Sequence, residues 1–142
     1  FTGGNDEDTF NGSAGADIYR GNGGDDTFVS GVGDSKAGLT TASAIIDIVR
    51  DMNVTGNDVL DFEGAAGAAG NYDDTGAAVA SYELAVAAAN TFLGANAAYD
   101  YYEVVVGADV YVFAENNNDG VADQVVRFEN RTDAQITFAD II

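Results

Sequence analysis

Aspartates at positions 8, 17 and 26 stand nine residues apart, each at the end of a glycine-rich stretch. Residues 3–11 read GGNDEDTFN, residues 12–20 read GSAGADIYR and residues 21–29 read GNGGDDTFV. An ionised aspartate offers a hard oxygen, and glycine allows the φ > 0 and close-approach geometries that turn backbone carbonyls inward. A loop with both is half of an oxygen cage, and calcium is the ion such a cage suits. The candidate ligating positions are Asp8, Asp17, Asp25 and Asp26, with Gly3, Asn5, Gly12, Gly21 and Gly23 of the same loops. Two residues beyond each repeating aspartate comes a single large side chain, Phe10, Tyr19 or Phe28, on a short segment that reads as a strand with that residue inward. All three units match G-G-x-G-x-D-x-U-x, where U is large and apolar, once Asp6, Ser13 and Asn22 are admitted at glycine positions. Phe1 falls in the U column of a preceding unit.

Two other stretches carry oxygen ligands. Residues 115–123, ENNNDGVAD, match D-x-[DN]-x-[DN]-G-x-x-D with a glutamate first, which makes Glu115, Asn117, Asp119 and Asp123 candidate ligands. Val126 stands where the bidentate glutamate of such a loop is expected, so a metal-free, Asn-Gly-rich hairpin tip is the competing reading. Residues 51–58 also alternate oxygen-bearing side chains ahead of Gly56, and there an ordinary polar turn is the simpler expectation.

Composition narrows the chemistry further. With 24 acidic and 5 basic residues the net charge is −19, which repels nucleic-acid phosphates and anionic lipid headgroups and favours binding of cations. Cysteine and histidine are absent, so disulfides, thiolate metal sites and the usual nucleophile and base of hydrolytic triads have no residues to form from. Adjacent acids such as Asp25-Asp26 and Asp73-Asp74 do not make a catalytic pair without a cleft around them, and no enzymatic role is expected. The sequence contains neither a basic-then-apolar leader nor a run of about 18 apolar residues, so no membrane insertion is expected.

The three tandem units resemble the repeats-in-toxin (RTX) family. That resemblance implies a parallel β-roll with two nonapeptides per turn, loops eighteen residues apart stacked on one another, and calcium held between them. Here it implies that loop 3–8 stacks on loop 21–26, joining Asp8 to Asp26. Asp17 on the opposite edge would meet a preceding unit or the degenerate segment 30–35.

From Ala42 glycine thins and β-branched residues appear. Strands are predicted at 45–49, 59–62, 99–106, 109–114 and 124–128, with Gly107-Ala108 as a tight hairpin turn. Residues 64–75 read as a mobile surface loop, and Val79, Tyr82, Val86, Ala89 and Leu93 lie at helical spacing with Thr75 before them and Gly94 after. The predicted fold is mainly β: a short parallel β-roll (1–38) followed by an antiparallel β-rich capping domain with one helix (39–142). Residues 57–62, 107–113 and 136–142 are similar to the C-terminal modules of proteins exported by type I secretion, with the tail as an edge strand. This resemblance implies a secretion signal read by that machinery and a secreted, extracellular or cell-surface location. The expected function is a calcium-binding C-terminal module that folds on calcium binding after export. The alternatives are a calcium-joined surface-layer, filament or adhesin subunit that binds copies of itself, and the non-catalytic tail of a secreted protease or lipase.

Overall fold

The computed structural model describes residues 1–142, and its chain is mainly strand with one helix. The first strands are β1 (Thr9–Asn11), β2 (Ile18–Tyr19), β3 (Thr27–Val29), β4 (Asp47–Val49) and β5 (Val59–Asp61). β6 (Tyr72–Asp73), helix α1 (Tyr82–Ala95), β7 (Tyr101–Val106), β8 (Asp109–Ala114) and β9 (Gln124–Phe128) follow. One sheet is β1-β3-β5 and the other is β2-β4-β9-β8-β7-β6. Consecutive early strands therefore belong to different sheets, and the chain circles from one to the other. Each early strand is only two or three residues long because glycine-rich turns bound it on both sides.

Register places the apolar columns. Phe10 pairs with Phe28 and Phe28 with Leu60 in the small sheet, while Tyr19 pairs with Val49 and Val49 with Phe128 in the large one. Because side chains alternate across a strand, these columns face each other between the sheets. The Phe10 and Phe28 rings stack at 5.4 Å, and Tyr19 lies tilted against both. Such pairs contribute about 0.5–1.5 kcal/mol each beyond area burial. The same core continues through Met52, Phe62, Tyr72, Tyr101, Val112 and Ile141, and strands before and after residue 38 pair within both sheets.

The opposite face of the large sheet is covered by α1. Tyr82, Ala85, Val86, Ala89 and Leu93 are buried and pack with Tyr102, Val104, Tyr111 and Phe113. The helix begins at Tyr82 because the Ser81 hydroxyl accepts the Leu84 N–H, a capping bond that orphan first-turn donors require. Val79, predicted as helical, instead forms a parallel bridge with Val106. No helix is long and apolar enough to cross a membrane.

Three expectations differ from what is seen. The second half is a mixed sheet, since β4–β9 and β6–β7 are parallel and only β7–β8–β9 is antiparallel. Part of the expected surface loop 64–75 is structural: β6 pairs with β7 and Tyr72 is buried. The tail is two short 3-10 turns (Asp133–Gln135 and Phe138–Asp140), after which Ile141 bridges Leu60 and the Ile142 N–H donates to the Leu60 carbonyl at 3.0 Å.

A glutamate of the large sheet is among the buried polar side chains. Glu103 of β7 is 1% exposed; its Oε2 accepts the Tyr72 hydroxyl and its Oε1 has no hydrogen-bond partner. Burial first, then the charges of Asp133 and Asp74, push its carboxyl up to about 8, although the Tyr72 bond works against the rise. The unfolded chain releases this proton near the ordinary glutamate value, 4.5, so between there and about 8 the folded state holds more protons. Stability contributed by this group therefore falls as pH rises through that window, by up to about 1.4 kcal/mol per pH unit. Glu103→Gln removes the dependence: urea unfolding at pH 5 and at pH 8 should show the variant gaining on the wild type at the higher pH.

Candidate metal centre

Loops stack on both edges where the chain passes between sheets. On one edge the Asp8 N–H donates to Asp26 Oδ1 at 2.9 Å, and the Asp26 N–H donates to Asp58 Oδ1 at 3.1 Å. On the other the Asp17 N–H donates to Asp47 Oδ1 at 3.0 Å. Each aspartate thus orients the backbone of the turn before it.

The first stack joins residues that the sequence pairs. The Gly23 N–H donates to the Gly4 carbonyl at 3.1 Å, and Gly3 lies against the Gly21 carbonyl, so loops 3–8 and 21–26 adjoin with Asn5 beside Gly23. Loop 53–58, expected as an ordinary polar turn, is the next layer. The Asn57 N–H donates to Asp25 Oδ1 at 2.9 Å and the Thr55 hydroxyl donates to the Asn22 carbonyl. Gly24 and Gly56 have φ of +115° and +98°. A Cβ on Gly56 would meet the Gly24 carbonyl oxygen at 1.8 Å, so only glycine permits this approach.

On the opposite edge the Gly15 N–H donates to the Asp34 carbonyl at 3.2 Å, which puts loop 12–17 beside segment 30–35. The carboxylate there comes from further along, from Asp47. Asp47 and Asp58 are the two members of the ladder that the nine-residue period does not reveal. Their intervals from the matching aspartates are 30 and 32 residues. The signal present in the sequence is the local pattern of aspartate two before a buried apolar residue, Asp47-Ile48-Val49 and Asp58-Val59-Leu60.

The carboxylates differ in what remains free. Asp58 Oδ2 accepts the Asn53 N–H at 2.7 Å, and Asp47 Oδ2 accepts the Ser30 hydroxyl at 2.8 Å. Both last-layer aspartates are therefore satisfied on each oxygen. Asp26 is 1% exposed, yet its Oδ2 has no partner, and Asp17 Oδ2 is likewise buried and unpartnered. Burial, followed by the charges of Asp8, Asp51 and Asp25, raises the Asp26 carboxyl above the ordinary range, against the opposing Asp8 N–H bond. Buried anionic oxygens without donors are costly, and a cation is the partner that reverses the cost.

These residues fit a calcium ion. The free oxygens are hard, and glycines 12 and 21 press on them so closely that a Cβ would come within 2.2 Å of Asp17 Oδ2 and 2.0 Å of Asp26 Oδ2. No group of three or more carboxylates converges anywhere in the molecule, so an ion here would take most of its ligands from loop carbonyls. The residues that would hold it are Asp8 and Asp26 with loops 3–8 and 21–26, and Asp17 with loop 12–17.

The hairpin tip 115–123 has a different economy. Glu115 Oε1 accepts the Asn117 and Asp119 N–H groups, Asp119 Oδ1 accepts the Val121 N–H, and Asp123 accepts from the Asn116 backbone and the Asn117 amide. Its acids order the tip through their own backbone, with Asn118 and Gly120 at φ of +60° and +79°.

Comparison with known protein families and with curated proteins found no match, so the functional reading rests on this chain's own residues.

The two kinds of aspartate give opposite expectations. Asp26→Asn keeps the Oδ1 acceptor while removing a buried charge, so in EDTA its urea midpoint should equal or exceed the wild type, while any calcium-induced gain is lost. Asp58→Asn places an amide against the Asn53 N–H and should cost roughly 1–3 kcal/mol with or without calcium.

Proposed function

We propose that this chain is a calcium-binding module of a secreted protein, in which calcium bound between stacked loops completes folding outside the cell. The observation that carries the reading is the buried, unpartnered Oδ2 of Asp26, lying between loops that adjoin at the eighteen-residue interval. The finer architecture belongs to the same proposal: the alternation of short parallel strands between two sheets is read as an RTX-type β-roll, continued past residue 29 by two degenerate turns.

A net charge of −19 keeps the chain self-repelling until cations are supplied. Where calcium is scarce, the free energy of closing acidic loops on one another opposes folding, and the chain stays loose enough for export. Extracellular calcium modules typically bind at about 10⁻⁴ to 10⁻³ M, a range that separates the two sides of the membrane. At calcium tenfold above its dissociation constant each independent site adds about 1.4 kcal/mol, so even two sites matter to a domain of ordinary marginal stability. Export through type I machinery is the route this reading assigns, with the tail 136–142 as the segment to be recognised.

Far-UV circular dichroism and thermal unfolding of the chain in calcium and in excess EDTA test the proposal. Strand signal and a higher midpoint should appear with calcium, and magnesium at the same concentration should not substitute. Identical spectra and midpoints in calcium and EDTA would sink it.

A further inference from the structure

With five cationic side chains against twenty-four acidic ones, an arginine on this surface has acids to pair with almost anywhere. Arg20, Arg50 and Arg131 nevertheless line a single cleft. Strand pairing places two of them: Tyr19 pairs with Val49, and the residue that follows each strand is an arginine. Arg20 and Arg50 are therefore neighbours at the ends of adjoining parallel strands, with the Arg50 N–H donating to the Tyr19 carbonyl at 3.1 Å, and like charges so placed are destabilising when nothing negative lies close. Arg131 reaches the same cleft from the turn beyond β9.

The carboxylates that could neutralise this group are engaged elsewhere. Arg50 Nε lies 3.2 Å from Glu129, which also approaches Arg127 at 3.5 Å. Neither Arg20 nor Arg131 has a carboxylate at salt-bridge distance. Arg131 Nε is buried and has no acceptor in the protein. The one acid lining the cleft, Asp51, already accepts the Gly21 and Asn22 N–H groups at 2.9 Å each. Asn5 and Asn22 also line the cleft, with the Asn22 amide donating to the Gly3 carbonyl at 2.8 Å.

We propose that this cleft binds a phosphate group, with Arg20 and Arg131 as its ligands and Arg50, held by Glu129, as the third cationic wall. A carboxylate has two oxygens, which one guanidinium fork occupies. A phosphate presents three or four around a tetrahedron and serves two forks at once, and it carries about −1.5 to −2 charge at pH 7. The Arg20–Arg50 repulsion and the unpaired Arg131 guanidinium gain a counter-charge. The cleft shares Asn5, Asn22 and Gly23 with loops 3–8 and 21–26, so its binding is read at a fixed calcium concentration.

Isothermal titration of the full chain with sn-glycerol 1-phosphate, at fixed calcium and with folding checked by circular dichroism, tests the proposal. Saturable one-site binding is expected, at least tenfold tighter than for acetate. Arg20→Gln and Arg131→Gln should each weaken it at least tenfold. Lys36→Gln, which removes one positive charge outside the cleft, should leave it unchanged. Should a glutamine variant fail to fold, Arg20→Lys keeps the charge without the fork and should still weaken binding severalfold. A parallel titration with inorganic phosphate separates the sources: equal affinity supports free phosphate as the ligand, and tighter binding of the ester supports a phosphate carried on a larger molecule. Absence of saturable binding, or an equal loss in Lys36→Gln, would overturn the assignment.

Discussion

The fold hangs on a bond between a backbone N–H of one turn and an aspartate carboxylate of the next. It occurs at Asp8 to Asp26, Asp26 to Asp58 and Asp17 to Asp47. Strands of two or three residues supply few ladder bonds of their own, and short strands in isolation are marginal. The carboxylates tie the loops between them, so that strand and loop share one repeat distance. The geometry that makes the ladder also turns the second oxygen of Asp17 and Asp26 inward, toward glycines with no room for a Cβ. Structural order and ionic demand thus come from the same side chains.

The ladder has a polarity. Each carboxylate serves the turn before it, and the final members, Asp47 and Asp58, have their other oxygen occupied by Ser30 and by Asn53. Asp47 is held further by its surroundings: Ser30 also meets Ser35, and Gln124 donates to the Ser30 and Gly31 carbonyls at 2.9 and 2.6 Å. The stack is therefore terminated on that side by protein donors, where earlier layers leave oxygens without any. Beyond it the large sheet runs on through β9 to the antiparallel hairpin, and α1 covers the outer face.

Much of this was legible in the sequence, and the parts that were not have identifiable causes. The nine-residue columns located β1, β2 and β3 and the inward Phe10, Tyr19 and Phe28, because a strict period exposes both loop and strand positions. Alternation and the Gly107 turn located β7, β8 and β9 closely. The later ladder members were hidden by extra residues inserted within a turn, which break periodicity without altering the stacked loop. Asn53 and Val54, standing where the repeat has glycines, made loop 53–58 look like a generic turn. β6 was missed because two residues in a Gly, Ala and Asp setting carry no strand signal, and only the pairing of Tyr72 with Tyr101 creates one. The start of α1 was misplaced because periodicity ran through Val79, while the Ser81 cap decided the boundary. Nothing in sequence spacing announced that Arg20, Arg50 and Arg131 would meet, since that depends on strand register across the two halves.

The bridge from Ile141 and Ile142 to Leu60 closes the small sheet more than eighty positions after β5 was laid down. Without Ile141 and Ile142, the side of β5 away from β3 loses its backbone partner at Leu60. The β5 edge is therefore covered by a contact of long sequence separation, of the kind that forms later in folding than local pairings do.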